Sequence, residues 1–167
     1  RYLAKALYTD LAGHEEVIAE HWDDGSLPVD PAYIAAQMGI AVLADPKLVA
    51  SGHYEPKGFN DGPLITYNPT EPPVRQRFTI AHELAHFVLN HGARDRDTPD
   101  NFTMAVHDPK EVAANKFAAR LLMPKSFVDA VVQVNMVRSL PKLAKIFGVS
   151  KAAMSYRLKE LGYDVAK

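Results

Sequence analysis

The sequence contains no cysteine in 167 residues, which excludes disulfide stapling, thiolate metal ligation and cysteine nucleophiles together. No apolar run approaches the roughly 20 residues that cross a bilayer. The chain opens at Arg1 without a basic, then apolar, leader, so a cytoplasmic protein with no membrane contact is expected. Internal repeats and low-complexity tracts are absent too. Charge of one sign is not in excess: the formal net charge is −1, which disfavours a uniformly basic nucleic-acid binder. That total conceals an asymmetry. Residues 1–50 carry 3 Lys/Arg against 8 Asp/Glu, a net of −5, whereas residues 138–167 carry 7 against 2, a net of +5.

What is present is ordinary for a globular protein, with 47% hydrophobic and 23% charged residues. The length suits one buried core, or one core with a small appendage. Helical spacing of Leu3, Leu7, Leu11, Val17 and Ile18 predicts one bent helix or two short ones up to about Trp22. Asp30 before Pro31 predicts an N-cap with proline at the first helical position, and a short helix that stops at Gly39. A strand is expected over Ile40–Leu43, and a hairpin from extended segments at His53–Glu55 and Leu64–Tyr67, separated by Gly58, Asn60, Asp61 and Gly62. Val74–Asn90 reads as a strong helix, followed by a polar loop through Asp95 and Pro99. A further helix runs from near Asp108 to Met123 and is stopped by Pro124. The expected fold is α+β, mainly helical, with a small, largely antiparallel sheet near the Val74–Asn90 helix.

The most informative pentapeptide is His82-Glu83-Leu84-Ala85-His86. On a helix, residues i and i+4 lie on one face about 6 Å apart along the axis, so both imidazoles can bind one Zn2+ at about 2 Å. Glu83 is rotated by about 100 degrees, placed to take the proton of a water at the metal and pass it to a departing amine. The plainer alternative is a helix that presents two histidines for packing. Here the motif lies between Phe78-Thr79-Ile80-Ala81 and Phe87-Val88-Leu89. Three ionisable groups in such a stretch need partners, because unpaired burial is costly.

A catalytic zinc needs a third protein ligand. The long form of the motif would place a histidine six residues after His86, but Gly92 stands there. Glu111, 25 residues after His86, is the best alternative, and Asn115 shares its helical face as a contact for a ligand histidine. His107, Asp108 and His91 compete as ligands. His91 would point away from the His82/His86 direction on an uninterrupted helix and is the weakest of them. Without thiolates, Mn2+ and Fe2+ remain alternatives to Zn2+. His107 and Tyr54 are candidate oxyanion stabilisers, against the plainer readings of an exposed loop histidine and a core tyrosine.

The run Leu143-Ala144-Lys145-Ile146-Phe147-Gly148-Val149-Ser150, then Ala153-Met154-Ser155-Tyr156-Arg157-Leu158, reads as helix, turn, helix. Gly148 supplies the turn and Ser150 the cap, while Leu143, Phe147, Val149, Met154 and Leu158 bury together. Lys151, Tyr156, Arg157 and Lys159 are expected to be exposed, where they could meet DNA. Packing or protein recognition is favoured over direct DNA contact.

The run from Arg75 through His82-Glu83-Leu84-Ala85-His86 to Phe87, followed by Glu111 to Asn115 and then Lys116-Phe117-Ala118-Ala119-Arg120-Leu121-Leu122-Met123-Pro124, resembles the ImmA/IrrE family of bacterial and phage zinc metallo-endopeptidases. The resemblance extends less tightly from about Leu27 to Gly162. It implies His82, His86 and Glu111 as metal ligands and Glu83 as catalytic base. Some relatives carry another acidic residue where this sequence has Ala113, which leaves Glu111 as the glutamate available. Known members cut helix-turn-helix transcriptional repressors, so the implied substrate is a regulatory protein of that kind. On this reading residues 1–137 form the zinc peptidase core and 138–167 a helix-turn-helix-like module packed on it. The alternative from another class is a DNA- or protein-binding transcription regulator with a structural metal and no peptidase activity.

Overall fold

A computed structural model of the chain describes Leu11, Glu15, Ile18 and residues 26–92, 94–96 and 108–164. Most of the helix expected before Trp22 lies outside the described residues, as does His107. Clustering of contacts divides the chain into one unit of residues 30–118 and another formed by residues 1–29 with 119–167.

In the 30–118 unit, helix α1 spans Pro31–Gln37, and Asp30 caps it by accepting a hydrogen bond from the Tyr33 amide at 3.1 Å. Strand β1 follows at Ala41–Ala44, β2 at Gly52–Phe59 and β3 at Gly62–Tyr67. The β2–β3 hairpin closes on Asn60 and Asp61, with φ of 50° and 60°, the left-handed pair that matches strand twist in a two-residue turn. The register shifts between Glu55 and Phe59, where Pro56 has no amide hydrogen to give the ladder.

Helix α2 spans Pro73–Val88 and packs on β2, β3 and α1. Every residue from Thr79 to His86 is buried, so the His-Glu-x-x-His segment is enclosed on all sides. Strand β4, Arg94–Arg96, lies where the sequence suggested only loop, and it pairs antiparallel with Gly52–Tyr54. The expectation failed because three charged residues carry no period-2 hydrophobic signal; the free edge of β2 recruits them. The sheet order is β1-β3-β2-β4. Only the β1–β3 pairing is parallel, so the sheet is mixed but largely antiparallel.

Helix α3 spans Pro109–Leu122, and the division between the units falls within it. In the second unit, α4 covers Lys125–Asp129 and continues into a π-helical turn at Ala130–Val134. Helix α5, Leu140–Phe147, ends at Gly148 with φ of 64°, and α6, Lys151–Glu160, begins where Ser150 accepts from the Ala153 amide at 3.1 Å. Leu143, Phe147, Val149, Met154 and Leu158 are all buried, as the pattern predicts.

Arg157 departs from expectation. It is 1% exposed. Its Nε donates to the Met123 carbonyl at 3.0 Å and its Nη1 to Glu160 Oε2 at 2.9 Å. The arginine falls one turn after Met154 and beside Leu158 on the buried face of α6, where its guanidinium satisfies an orphan carbonyl just past the end of α3. It is therefore absent from the exposed set, which retains the basic Lys151 and Lys159 and the neutral Tyr156.

Candidate metal centre

Helix α2 presents His82 and His86 one turn apart, with ring centroids separated by 4.7 Å. The first turn of α3 brings Glu111 to them. His82 Nε2 lies 2.7 Å from Glu111 Oε2, His86 Nε2 lies 3.3 Å from Glu111 Oε1, and the two Nε2 atoms are 3.1 Å apart. One ligand atom from each residue falls within 4.8 Å of the others, and all three residues are buried. The donor set fits a divalent cation: two imidazole nitrogens and a carboxylate, all of ligand type, converge on one point.

Burial works to raise the pKa of Glu111. Hydrogen bonds from His82 and His86, with their charge, outweigh it and hold the carboxyl well below the usual carboxylate range. Glu111 therefore stays ionised, the form a cation would need.

Asn115 sits one turn after Glu111, and its Oδ1 is 2.8 Å from His82 Nδ1. An amide oxygen only accepts, so Nδ1 of His82 donates and its Nε2 faces the centre. Asp108, a competing ligand on sequence grounds, instead caps α3, accepting from the Lys110 amide at 2.9 Å. Glu83 is fully buried on the adjoining face of α2, and a β-carbon at Gly52 would stand 3.2 Å from its Oε1. Its carboxylate thus lies against the first residue of β2. Tyr54 is 5% exposed, and its ring meets Phe87 edge-on at 6.3 Å. Burial first, and the charge of Glu55 second, push its phenol pKa up. That contact places Tyr54 in the packing between β2 and α2.

His91 is the residue that sequence reasoning misplaced. Helix α2 does not run straight on: Asn90 takes φ of 57°, its amide donates to the Phe87 carbonyl at 3.1 Å, and the His91 amide donates to the His86 carbonyl at 2.9 Å. This paired reversal is a Schellman cap. It folds His91 back until its Nδ1 lies 2.9 Å from Nδ1 of His86. The signal was legible in Asn90, a residue that tolerates the left-handed region, followed by Gly92.

The IrrE N-terminal-like domain matches residues 35–159, which includes all of α2, α3 and α5, and α6 up to its last residue. The chain belongs to the ImmA/IrrE family of metalloproteases. Among curated relatives, the radiation response metalloprotease IrrE of Deinococcus radiodurans is 30% identical over 124 residues, covering 64% of this chain and 36% of that protein. The protein of the same name from Deinococcus deserti is 30% identical over 133 residues, 73% of this chain and 43% of its own length. The chain thus spans less than half the length of these ImmA/IrrE relatives. A solved structure titled Mycobacterium tuberculosis transcriptional regulator shares the fold, with a TM-score of 0.63 at 20% identity over 97% of this chain and 50% of that one. Among the described residues, no helix is long and apolar enough to cross a membrane.

Proposed function

We propose that the chain is a zinc-dependent endopeptidase in which His82, His86 and Glu111 hold the metal and Glu83 is the general base. The observation that carries this reading is the buried convergence of the two imidazoles and the carboxylate, with Glu83 next in sequence to His82 on the same buried helix. Zinc supplies a Lewis acid that polarises a scissile carbonyl and acidifies water. The rest falls to the chain. Glu83 takes a proton from the attacking water and delivers it to the amide nitrogen as the C–N bond breaks, so its carboxylate is regenerated at each turnover. Its burial strengthens that exchange, because the proton moves where solvent does not compete. Asn115 keeps the His82 ring in its ligating orientation.

Membership of the ImmA/IrrE family supports a protein substrate, and the family's habit of cutting helix-turn-helix repressors makes such a regulator the substrate we propose. In this reading residues 1–137 are the peptidase portion and 138–167 the appended module. A cytoplasmic setting accords with such a target.

The test is incubation of zinc-loaded protein with a repressor encoded beside it, with fragments identified by intact mass. Wild type is expected to cut at one defined bond. Glu83→Gln should retain metal and fold while cleavage falls by about 100- to 10,000-fold. Equal cleavage by both proteins rejects Glu83 as the base. The second reading, a regulator with a structural metal, draws on the α5–α6 pair with its exposed Lys151, Tyr156 and Lys159 and on the shared fold with the mycobacterial regulator. Metal-independent DNA binding, unchanged by Glu83→Gln and without any cleavage, would favour it.

A further inference from the structure

Each of the two histidines turns one nitrogen towards Glu111 and the other outward, and the outward nitrogens have different partners. For His82 the partner is Asn115 Oδ1 at 2.8 Å, carried by α3; for His86 it is His91 Nδ1 at 2.9 Å, carried by the cap of α2 itself. We infer that His91 is a positioning residue for the metal centre, accepting the Nδ1 proton of His86 so that His86 Nε2 presents its lone pair inward.

The inference rests on the reading that His82, His86 and Glu111 hold a divalent ion, and it adds a residue to which no role has been given. Its physical basis is the two-sided nature of imidazole. A neutral ring has one N–H and one lone pair, and whichever nitrogen donates decides which one can ligate. His86 Nε2 lies 3.3 Å from Glu111 Oε1; with an ion held between them Nε2 must offer its lone pair, and the single proton of the neutral ring then belongs on Nδ1. An acceptor at hydrogen-bond distance keeps it there. His91 Nδ1 supplies that acceptor when the His91 proton is on Nε2. The ring planes of His86 and His91 are inclined at 58° with centroids 5.1 Å apart, an edge approach through nitrogen rather than a stack.

Geometry also distinguishes this role from direct ligation. The ligand atoms that gather within 4.8 Å are those of His82, His86 and Glu111, whereas His91 meets His86 on the side opposite its Nε2. What holds His91 there is backbone: its amide is bonded to the His86 carbonyl at 2.9 Å and Asn90 lies at φ of 57°. The cap therefore serves two ends at once. It satisfies the last carbonyls of α2 and returns a hydrogen-bond acceptor to the ligand one turn back.

The test is competition for Zn2+ between the protein and a chromophoric chelator, on wild type, Glu111→Ala, His91→Leu and His91→Asn, each first checked for its melting temperature without metal. His91→Leu is expected to bind Zn2+ about 10- to 100-fold more weakly than wild type. His91→Asn, whose Oδ1 takes the place of the imidazole Nδ1, should bind close to wild type. X-ray absorption at the zinc edge should count two imidazoles in both wild type and His91→Leu. Wild-type affinity in His91→Leu, or loss in the asparagine variant equal to that in leucine, overturns the inference while leaving the metal centre standing. A fall from three imidazoles to two overturns it in favour of direct ligation. If wild type binds no more tightly than Glu111→Ala, the metal centre itself fails and the inference fails with it.

Discussion

Gly52 and Glu83 approach so closely that a β-carbon on Gly52 would stand 3.2 Å from Glu83 Oε1, and 2.4 Å from Thr79 Cγ2. The first residue of β2 therefore sets how near the sheet comes to the buried face of α2. Gly52→Ala should be destabilised by about 1–3 kcal/mol, the usual cost of forcing a methyl group into a filled site. Thr79→Ser removes the nearest obstacle, so Gly52→Ala with Thr79→Ser should recover part of that loss. Urea titration of the four proteins measures both effects. A single variant as stable as wild type would show that the approach is looser than the structure has it.

Metal should stabilise the fold through the centre. At free Zn2+ about 100-fold above its dissociation constant, the gain is about 2.7 kcal/mol if the unfolded chain does not bind. Calorimetry should show a higher melting temperature on adding Zn2+ to the wild type, reversed by a chelator. Glu111→Ala removes one of the three residues proposed to hold the metal and should lose most of the shift.

Arg157 is expected to act in folding, not in DNA contact. Its buried guanidinium serves both the Met123 carbonyl and Glu160, and hydrogen bonds to charged groups contribute about 1.5–3 kcal/mol each. Arg157→Met should cost about 2 kcal/mol or more in chemical denaturation. Lys151→Ala and Lys159→Ala, at exposed positions, should stay within about 0.5 kcal/mol of wild type. Equal tolerance at all three positions would contradict the buried role.

Glu160 links stability to acid pH. Burial acts to raise its pKa, but hydrogen bonds from Arg120 and Arg157 dominate and hold it below its ordinary value of 4.5. A carboxyl depressed in the folded state stabilises fully above its ordinary value and ceases to do so as pH falls through the folded one. Denaturation midpoints should therefore drop as pH is lowered below about 4.5. Glu160→Gln should be less stable at neutral pH and show a shallower fall. Asp129, depressed in the same direction once the hydrogen bonds of Lys125 and Tyr163 outweigh its burial, leaves a residual slope.

How much of the site was legible differs from residue to residue. His82 and His86 need only helical periodicity to share a face, and Pro72-Pro73 before them with an apolar run around them were enough to predict the helix. Glu111 and Asn115 share a face for the same reason. That the two faces meet required the return of α3, since no local rule specifies which helix covers another. Spacing alone left His107, Asp108 and His91 as rival ligands. The Asp108 cap became evident only with the helix start fixed.

The sequence by itself determined the elements whose causes are local. These are the Asp30-Pro31 helix start, the Asn60-Asp61 turn, the Gly148 and Ser150 stop and start, and the i, i+4 pairing of His82 with His86. Each depends on dihedral preference or on neighbours within one turn. Tertiary structure alone decided the rest. Strand β4 exists because β2 had an edge to pair. Arg157 is buried because the Met123 carbonyl needed a donor. Gly52 must lack a side chain because Thr79 and Glu83 occupy its space. His91 returns to His86 through the left-handed Asn90 that follows the Leu89 cap of α2; the turn is a local signal, but the ring it brings back could be placed only once the end of the helix was fixed. In these cases the deciding interaction joins groups on different elements, or depends on where an element stops, and its energy is set by what lies across the gap rather than by the residue's own type.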